Sequence, residues 1–139
     1  MVAVVIDTNV LVAGLRSGGG ASRQVLRHAI NGRWTPLFSN ALWLEYEDLL
    51  ARPVWTNDTT PDERRQIVDA VAALGRWVKI YYGWRPNLPD AGDDYLIELA
   101  VAGGADAIIT HNIRDIDSGE LRWHDLEVLT PADSLKRLK

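Results

Sequence analysis

A short β-branched run near the start of the chain, residues 2–6, ends directly in an aspartate, Asp7, and this feature most constrains the fold. A short apolar run bounded by polar residues predicts a strand buried inside a sheet. Later segments with the same strand-like character are residues 37–38, 77–82, 107–110 and 125–129. The sequence therefore predicts a sheet of several short strands.

Segments with apolar residues at helical spacing lie between these strands. They cover residues 22–31, 40–51, 61–74 and 93–102, and a last helix is expected to begin at Thr130. The helix at residue 61 has a capping signal, because Thr60 is followed by Pro61 and Glu63. Strands that alternate with helices favour an α/β fold with a mostly parallel sheet, in which ligands bind at the carboxyl ends of the strands.

Length and composition limit the class of protein. A chain of 139 residues with 47% hydrophobic residues suits a single domain with a real core, and we expect residues 1–139 to form it. The absence of cysteine excludes disulfides, thiolate catalysis and cysteine-ligated zinc. No apolar run is long enough to span a bilayer, and the sequence shows no signal peptide. We therefore expect a cytoplasmic protein with no membrane partner.

Acidic residues stand out at four places: Asp7, Glu45, the adjacent Asp93 and Asp94, and Asp115. Each alone has an ordinary explanation as a turn residue, a helix cap or a solvated residue. Together they are expected at the carboxyl edge of the sheet, where they would repel one another unless a cation neutralises them. Oxygen ligands suit Mg²⁺ or Mn²⁺, and a phosphodiester is then the natural substrate. On this view Asp7→Asn would relieve repulsion and stabilise the metal-free protein.

The motifs that carry these acids resemble the PIN domain. They are VVIDTNVLV with Asp7, LWLEYEDLLARP with Glu45, PDAGDDYLIELA with Asp94, and IITHNIRDI with Asp115. They occur in the family's order over nearly the whole chain, and the likeness is greatest to PIN-family toxin components of bacterial toxin–antitoxin systems, similar to the VapC-type ribonucleases. The resemblance implies a three-layer α/β/α sandwich with a mostly parallel central sheet. It also implies a ribonuclease that depends on Mg²⁺ or Mn²⁺.

The resemblance implies roles for individual residues. Asp7, Glu45 and Asp94 would be the core catalytic and metal-binding acids, and Asp115 would be a fourth. Whether Asp93 or Asp94 is the ligand stays open, because the two are adjacent. The polar residues expected to support the acids are Thr8, Asn9, Asp93, Thr110 and Asn112.

The implied partners are an RNA substrate, a cognate antitoxin protein and a second copy of the chain in a homodimer. The aromatic candidates for a dimer interface are Trp43, Trp55 and Trp77. The net charge of −4 opposes nucleic-acid binding unless arginines flank the site. Arg16, Arg85 and Arg114 are the candidate RNA contacts. Other arginines, such as Arg64, are as well explained by a solvated helix face.

In the implied ribonuclease, a metal-activated water would cleave the phosphodiester to leave 5′-phosphate and 3′-hydroxyl ends. This chemistry alone does not separate RNA from DNA.

Two other functions stay open beside the ribonuclease. A catalytically silent PIN-like interaction module would share the fold. A phosphatase of the haloacid dehalogenase type would place a second aspartate at position 9, where this chain has Asn9.

Overall fold

The computed structural model describes residues 2–16, 19–55, 59–80, 94–117 and 126–138, without the side chains of Asp94, Asp115 and Asp117. Within these ranges the chain forms five strands and seven helices. In chain order they are β1 (Ala3–Ile6), α1 (Thr8–Arg16), α2 (Ala21–Ile30), β2 (Thr35–Phe38), α3 (Asn40–Ala51), α4 (Pro61–Ala73), β3 (Arg76–Trp77), α5 (Asp94–Gly103), β4 (Ala107–Ile109), α6 (Ile113–Asp117), β5 (Glu127–Leu129) and α7 (Pro131–Arg137).

The strands form one sheet in the order β3-β2-β1-β4-β5, and every neighbouring pair is parallel. β1 is central, where Val4 pairs with Pro36 of β2 and Val5 pairs with Ile108 of β4. Val4 and Val5 have no exposed surface. A strand covered on both faces is apolar throughout, which explains the unbroken run in the sequence. The predicted three-layer α/β/α sandwich is confirmed.

The element boundaries follow the sequence at some helices and depart from it at one strand. Thr60 Oγ1 accepts a hydrogen bond from the Glu63 backbone N–H at 3.1 Å, and Glu63 Oε1 accepts one from the Thr60 N–H at 3.3 Å. The expected capping box is therefore confirmed. The third strand is shorter than predicted, because β3 covers only Arg76–Trp77 and residues 78–80 are not in a strand. Residues 81–82 of that prediction lie outside the described residues.

Helices α1 and α6 are not predicted from the sequence. Helix α1 starts directly after Asp7 and buries Val10, Leu11 and Leu15. Helix α6 spans only Ile113–Asp117, little more than one helical turn. Both follow a strand at the end where the parallel strands terminate, so each continues the chain away from that edge.

Arg64 corrects the sequence interpretation of a solvated helix residue. It is buried, and its guanidinium donates hydrogen bonds to the carbonyl oxygen of Thr59 at 2.7 Å and to Thr59 Oγ1 at 3.1 Å. The guanidinium carbon also lies 4.8 Å from the ring centroid of Trp55. Arg64 therefore holds the turn that leads into α4.

None of the helices in the described ranges has the length and hydropathy needed to cross a bilayer.

Candidate functional site

Asp7 ends β1 and begins α1, and its backbone is fixed from both sides. Its N–H donates to the carbonyl oxygen of Ile109 at 3.0 Å, which continues the ladder between β1 and β4. Its carbonyl oxygen accepts from the N–H groups of Val10 at 3.0 Å and Leu11 at 3.2 Å. We call the side of the sheet where the parallel strands end its carboxyl edge. Asp7 is thus held at this edge, with 5% of its surface exposed.

The Asp7 carboxylate accepts four hydrogen bonds from three residues. Oδ1 accepts from the Thr8 N–H at 2.7 Å and from Thr8 Oγ1 at 3.3 Å. Oδ2 accepts from Thr110 Oγ1 at 2.7 Å and from Asn9 Nδ2 at 3.2 Å. A carboxylate offers about four acceptor positions, so all of them are used. The structure therefore brings together Asp7, Thr8, Asn9 and Thr110, four of the residues singled out from the sequence.

A second set of contacts ties the loop after β4 to α1 and α2. Thr110 Oγ1 accepts from the Asn112 N–H at 3.0 Å, which places Asn112 beside the same group. Asn9 Oδ1 accepts from the His111 N–H at 3.2 Å. The His111 ring Nε2 lies 2.9 Å from Ser22 Oγ. Ser22 was not singled out in the sequence, where a serine among apolar helix positions gives no functional signal.

Tyr46 contacts the residue before Asp7, and the sequence interpretation did not single it out either. Its side chain is 1% exposed, and its hydroxyl donates to the carbonyl oxygen of Ile6 at 2.6 Å. Burial raises the pKa of the Tyr46 hydroxyl well above its usual range, and the charge of Asp7 and the nearby Tyr95 raise the pKa further. The hydroxyl therefore stays protonated and remains a donor. The only sequence signal was its place within the motif LWLEYEDLLARP, directly after Glu45.

The other proposed acids are placed by their elements. Glu45 is an exposed residue of α3, which leaves the carboxyl edge after β2. Asp94 is the first residue of α5, and Asp115 lies in α6, which follows β4. Asp93 lies outside the described residues. In the part of the chain that the structure describes, no three acidic or histidine side chains form a group that could hold a metal ion. The convergence of the four acids stays a prediction, since the side chains of Asp94 and Asp115 are not described.

Among the described candidates for RNA contacts and for the interface, two arginines and Trp77 are exposed, whereas Trp43 and Trp55 are half-buried. Arg16 at the end of α1 and Arg114 in α6 are exposed, whereas Arg85 lies outside the described residues. Trp77, on the edge strand β3, is 49% exposed and stacks on Phe38 with ring centroids 5.1 Å apart. The Trp43 and Trp77 centroids are 5.6 Å apart, while Trp55 packs on Arg64. Among the described residues, Trp77 and the half-buried Trp43 beside it form an aromatic patch next to β3.

Comparisons with known proteins identify the family and the fold. A family model described as PIN domain matches residues 3–114. The chain is also similar to one in the crystal structure of VapBC2 from Rickettsia felis bound to a DNA fragment from their promoter, with a TM-score of 0.59 and 12% sequence identity. That similarity covers 91% of this chain and 96% of the other. No curated protein matches the chain significantly.

Proposed function

The chain belongs to the PIN domain family, and on this premise we propose that it is a Mg²⁺- or Mn²⁺-dependent endoribonuclease that acts as the toxin of a toxin–antitoxin system. The observation that carries the proposal is the Asp7 carboxylate, which is nearly buried at the carboxyl edge and held by four hydrogen bonds. Ligands of parallel α/β sheets bind at this edge. A side chain held this firmly suits a site that must keep its geometry during a reaction.

The donor atoms suit a hard divalent cation. Asp7, Glu45 and Asp94 would hold the ion, with Asp115 as a fourth acid, and all of their donor atoms are carboxylate oxygens. Every acceptor position of Asp7 is used, so Asp7 would have to give up one of its two longest hydrogen bonds to act as a ligand. These are the bonds from Thr8 Oγ1 at 3.3 Å and Asn9 Nδ2 at 3.2 Å. The short bonds from the Thr8 N–H and Thr110 Oγ1 would then keep the carboxylate oriented.

A bound divalent cation would supply a water of lowered pKa as the nucleophile for phosphodiester hydrolysis, leaving 5′-phosphate and 3′-hydroxyl ends. The protein groups have further tasks in this scheme. Glu45 or Asp94 would orient the water and take its proton. Arg16, Arg85 and Arg114 would bind phosphates of the RNA and offset the acidic net charge.

A toxin needs an inhibitor, and we propose an antitoxin protein as a partner in the cytoplasm. An arginine or lysine of that partner would pair with the acids of the site through charge-assisted hydrogen bonds. The open groove between α3 and α4, about 290 Å³ in volume, offers a second contact for an apolar helix at Leu50, Ala51 and Pro61. Its other lining residues, Glu47, Arg64 and Arg65, are charged. The solved complex of VapBC2, which is similar in fold, supports a partner of this kind. Trp43 and Trp77 are proposed to join two copies of the single domain, residues 1–139, in a homodimer.

The test is a nuclease assay with a control at the opposite end of β1. Asp106 is exposed, and its Oδ2 accepts from the Ala3 N–H at 2.8 Å. Asp106→Asn makes the same chemical change as Asp7→Asn and keeps an acceptor for that bond. With Mg²⁺ or Mn²⁺, we expect the wild type and Asp106→Asn to cut RNA, and chelation by EDTA to stop both. The rate of RNA cleavage should be lower by roughly 100-fold or more in Asp7→Asn than in the wild type, since metal catalysis lowers the activation barrier by several kcal/mol.

Parallel substrates and expression separate the alternatives. RNA and single-stranded DNA of the same sequence determine which nucleic acid is cut, and a small aryl phosphate tests for a phosphatase. Expression without an antitoxin should be toxic, and Asp94→Ala should relieve the toxicity while leaving the fold intact. A wild type that cuts no RNA and harms no host would identify the chain as a silent interaction module.

A further inference from the structure

We propose that Tyr46 is a positioning residue for the metal site, because its hydrogen bond to the Ile6 carbonyl sets the distance between Asp7 and Glu45. The inference rests on the proposed function, in which these two acids hold the ion. Ile6 directly precedes Asp7, and Tyr46 directly follows Glu45. One hydrogen bond therefore joins the two elements at points one residue away from each acid.

The surroundings of the hydrogen bond between Tyr46 and Ile6 keep both of its groups in place. The two oxygen atoms are 2.6 Å apart, and Tyr46 and Ile6 are each only 1% exposed, so solvent does not compete for either group. The Tyr46 ring also packs edge-to-face on Phe38, with centroids 5.7 Å apart. This second contact fixes the ring, and the ring in turn fixes the direction of the hydroxyl.

Helix α3 needs such a link because its other buried side chains are apolar, and its ion pair from Glu47 to Arg65 leads to α4 and not to β1. Leu42 and Leu49 are its other buried side chains. Apolar contacts have no directional preference, so they define the rotation of the helix less sharply than a hydrogen bond does. A hydrogen bond weakens steeply when its angle is poor, and it therefore fixes the register of α3 against β1. Glu45 is exposed on α3, so the register of the helix determines where its carboxylate can reach.

The experiment measures Mn²⁺ affinity by calorimetry for four proteins: the wild type, Tyr46→Phe, Glu45→Gln and the double variant. Tyr46→Phe keeps the ring and removes only the hydroxyl. We expect it to weaken Mn²⁺ binding roughly 10-fold, the lower end of the losses seen when residues behind metal ligands are changed. Glu45→Gln should weaken binding by itself, and adding Tyr46→Phe to it should cause little further loss. That non-additivity is the signature of a residue that acts through Glu45.

Thr59→Val is the matched control. The Thr59 hydroxyl is buried and donates to the carbonyl oxygen of Leu15 at 2.9 Å, close to the far end of α1. The variant loses a buried hydroxyl-to-carbonyl bond much like that of Tyr46. It also loses the 3.1 Å bond from Arg64 to Thr59 Oγ1, while Arg64 keeps its 2.7 Å bond to the Thr59 carbonyl. We expect Thr59→Val to lower the melting temperature of the metal-free protein at least as much as Tyr46→Phe does. Only Tyr46→Phe should change the Mn²⁺ affinity.

Three results would overturn the role of Tyr46 and leave the proposed metal site standing. The first is an equal loss of Mn²⁺ affinity in Tyr46→Phe and Thr59→Val, and the second is the same loss from Tyr46→Phe whether position 45 is Glu or Gln. The third is a Tyr46→Phe chain that does not fold. Each would show a structural role without positioning. A wild type that binds no Mn²⁺ would overturn the proposed metal site as well, so the two failures are distinguishable.

Discussion

The two ends of β1 use the same residue type in different ways. At the amino end, Asp106 is exposed, and within the described residues its carboxylate accepts one hydrogen bond, from the Ala3 N–H. At the carboxyl end, Asp7 is 5% exposed and accepts four. This single exposed bond gives the first N–H group of β1 an acceptor. The additional donors at Asp7 restrict its carboxylate to one orientation, which is what a ligand or a catalytic group requires.

The residues around the two ends of β1 also differ in how many of their polar groups are hydrogen-bonded. Near Asp7, Thr110, Asn9 and His111 link their polar groups in one network. We call the side of the sheet where the parallel strands begin its amino edge. There, near the start of β2, the rings of Trp34 and His28 pack edge-to-face with centroids 4.7 Å apart. Within the described part of the chain, the buried Trp34 Nε1 and His28 Nδ1 have no hydrogen-bond partner. The described polar groups around Asp7 are hydrogen-bonded to one another, whereas Trp34 and His28 at the other end depend on packing.

The largest expected difference in stability is between Asp7→Asn and Asp106→Asn. An asparagine at position 7 would turn an NH₂ group toward a hydrogen-bond donor and would lose the charge that strengthens these bonds. We expect Asp7→Asn to lower the unfolding free energy of the metal-free protein by about 2 kcal/mol. Asp106→Asn should change it by less than about 0.5 kcal/mol, as is usual at exposed sites. Urea unfolding in EDTA measures both.

This expectation reverses the one from sequence. Repulsion among the acids predicts that Asp7→Asn stabilises the metal-free chain, but four donors surround the carboxylate and no second acid contacts it in the described residues. An Asp7→Asn protein that is more stable than the wild type would show that repulsion dominates after all. It would also indicate that Asp94 or Asp115 lies close to Asp7.

A smaller effect is expected from Thr110, which forms the shortest side-chain bond to Asp7. Thr110→Val keeps the shape but removes the donor to Asp7 Oδ2 and the acceptor for the Asn112 N–H. We expect a loss of about 1 kcal/mol in unfolding free energy. Thr110→Ser keeps the hydroxyl and is the control, with a smaller loss from the missing methyl group. Equal losses in the two variants would mean that packing, and not the hydrogen bonds, makes Thr110 important.

The position of Asp7 and Thr110 was predictable from sequence. Each residue follows a short apolar run, and parallel strands end at the same edge, so the two were expected to lie near each other. The hydrogen bond of 2.7 Å between them confirms this. The apolar runs are unambiguous because a strand buried on both faces has to be apolar throughout.

Other features were not predictable, for physical reasons. The segment of α1 contains the β-branched Val10 and Val12, which suit a strand as well as a helix. Helix α6 is too short to show periodicity. The bonds from Tyr46 to Ile6 and from Ser22 to His111 join residues 40 and 89 positions apart. Such contacts depend on how helices pack on the sheet, and local sequence patterns carry no information about this.

The smallest expected effect tests the amino edge through pH. Burial lowers the pKa of His28 from its usual value of 6.5, and the positive charge of Arg33 lowers the pKa further. The unfolded chain therefore binds this proton more readily than the folded chain. The stability that the neutral His28 contributes is complete above pH 6.5 and declines as the pH falls from there through the lowered pKa. Melting temperatures between pH 8 and pH 5 should fall less for His28→Gln than for the wild type. Asp106→Asn, which leaves His28 and Arg33 in place, serves as the reference variant. An identical pH dependence in His28→Gln and the wild type would show that His28 titrates normally and that the packing at the amino edge does not restrict its protonation.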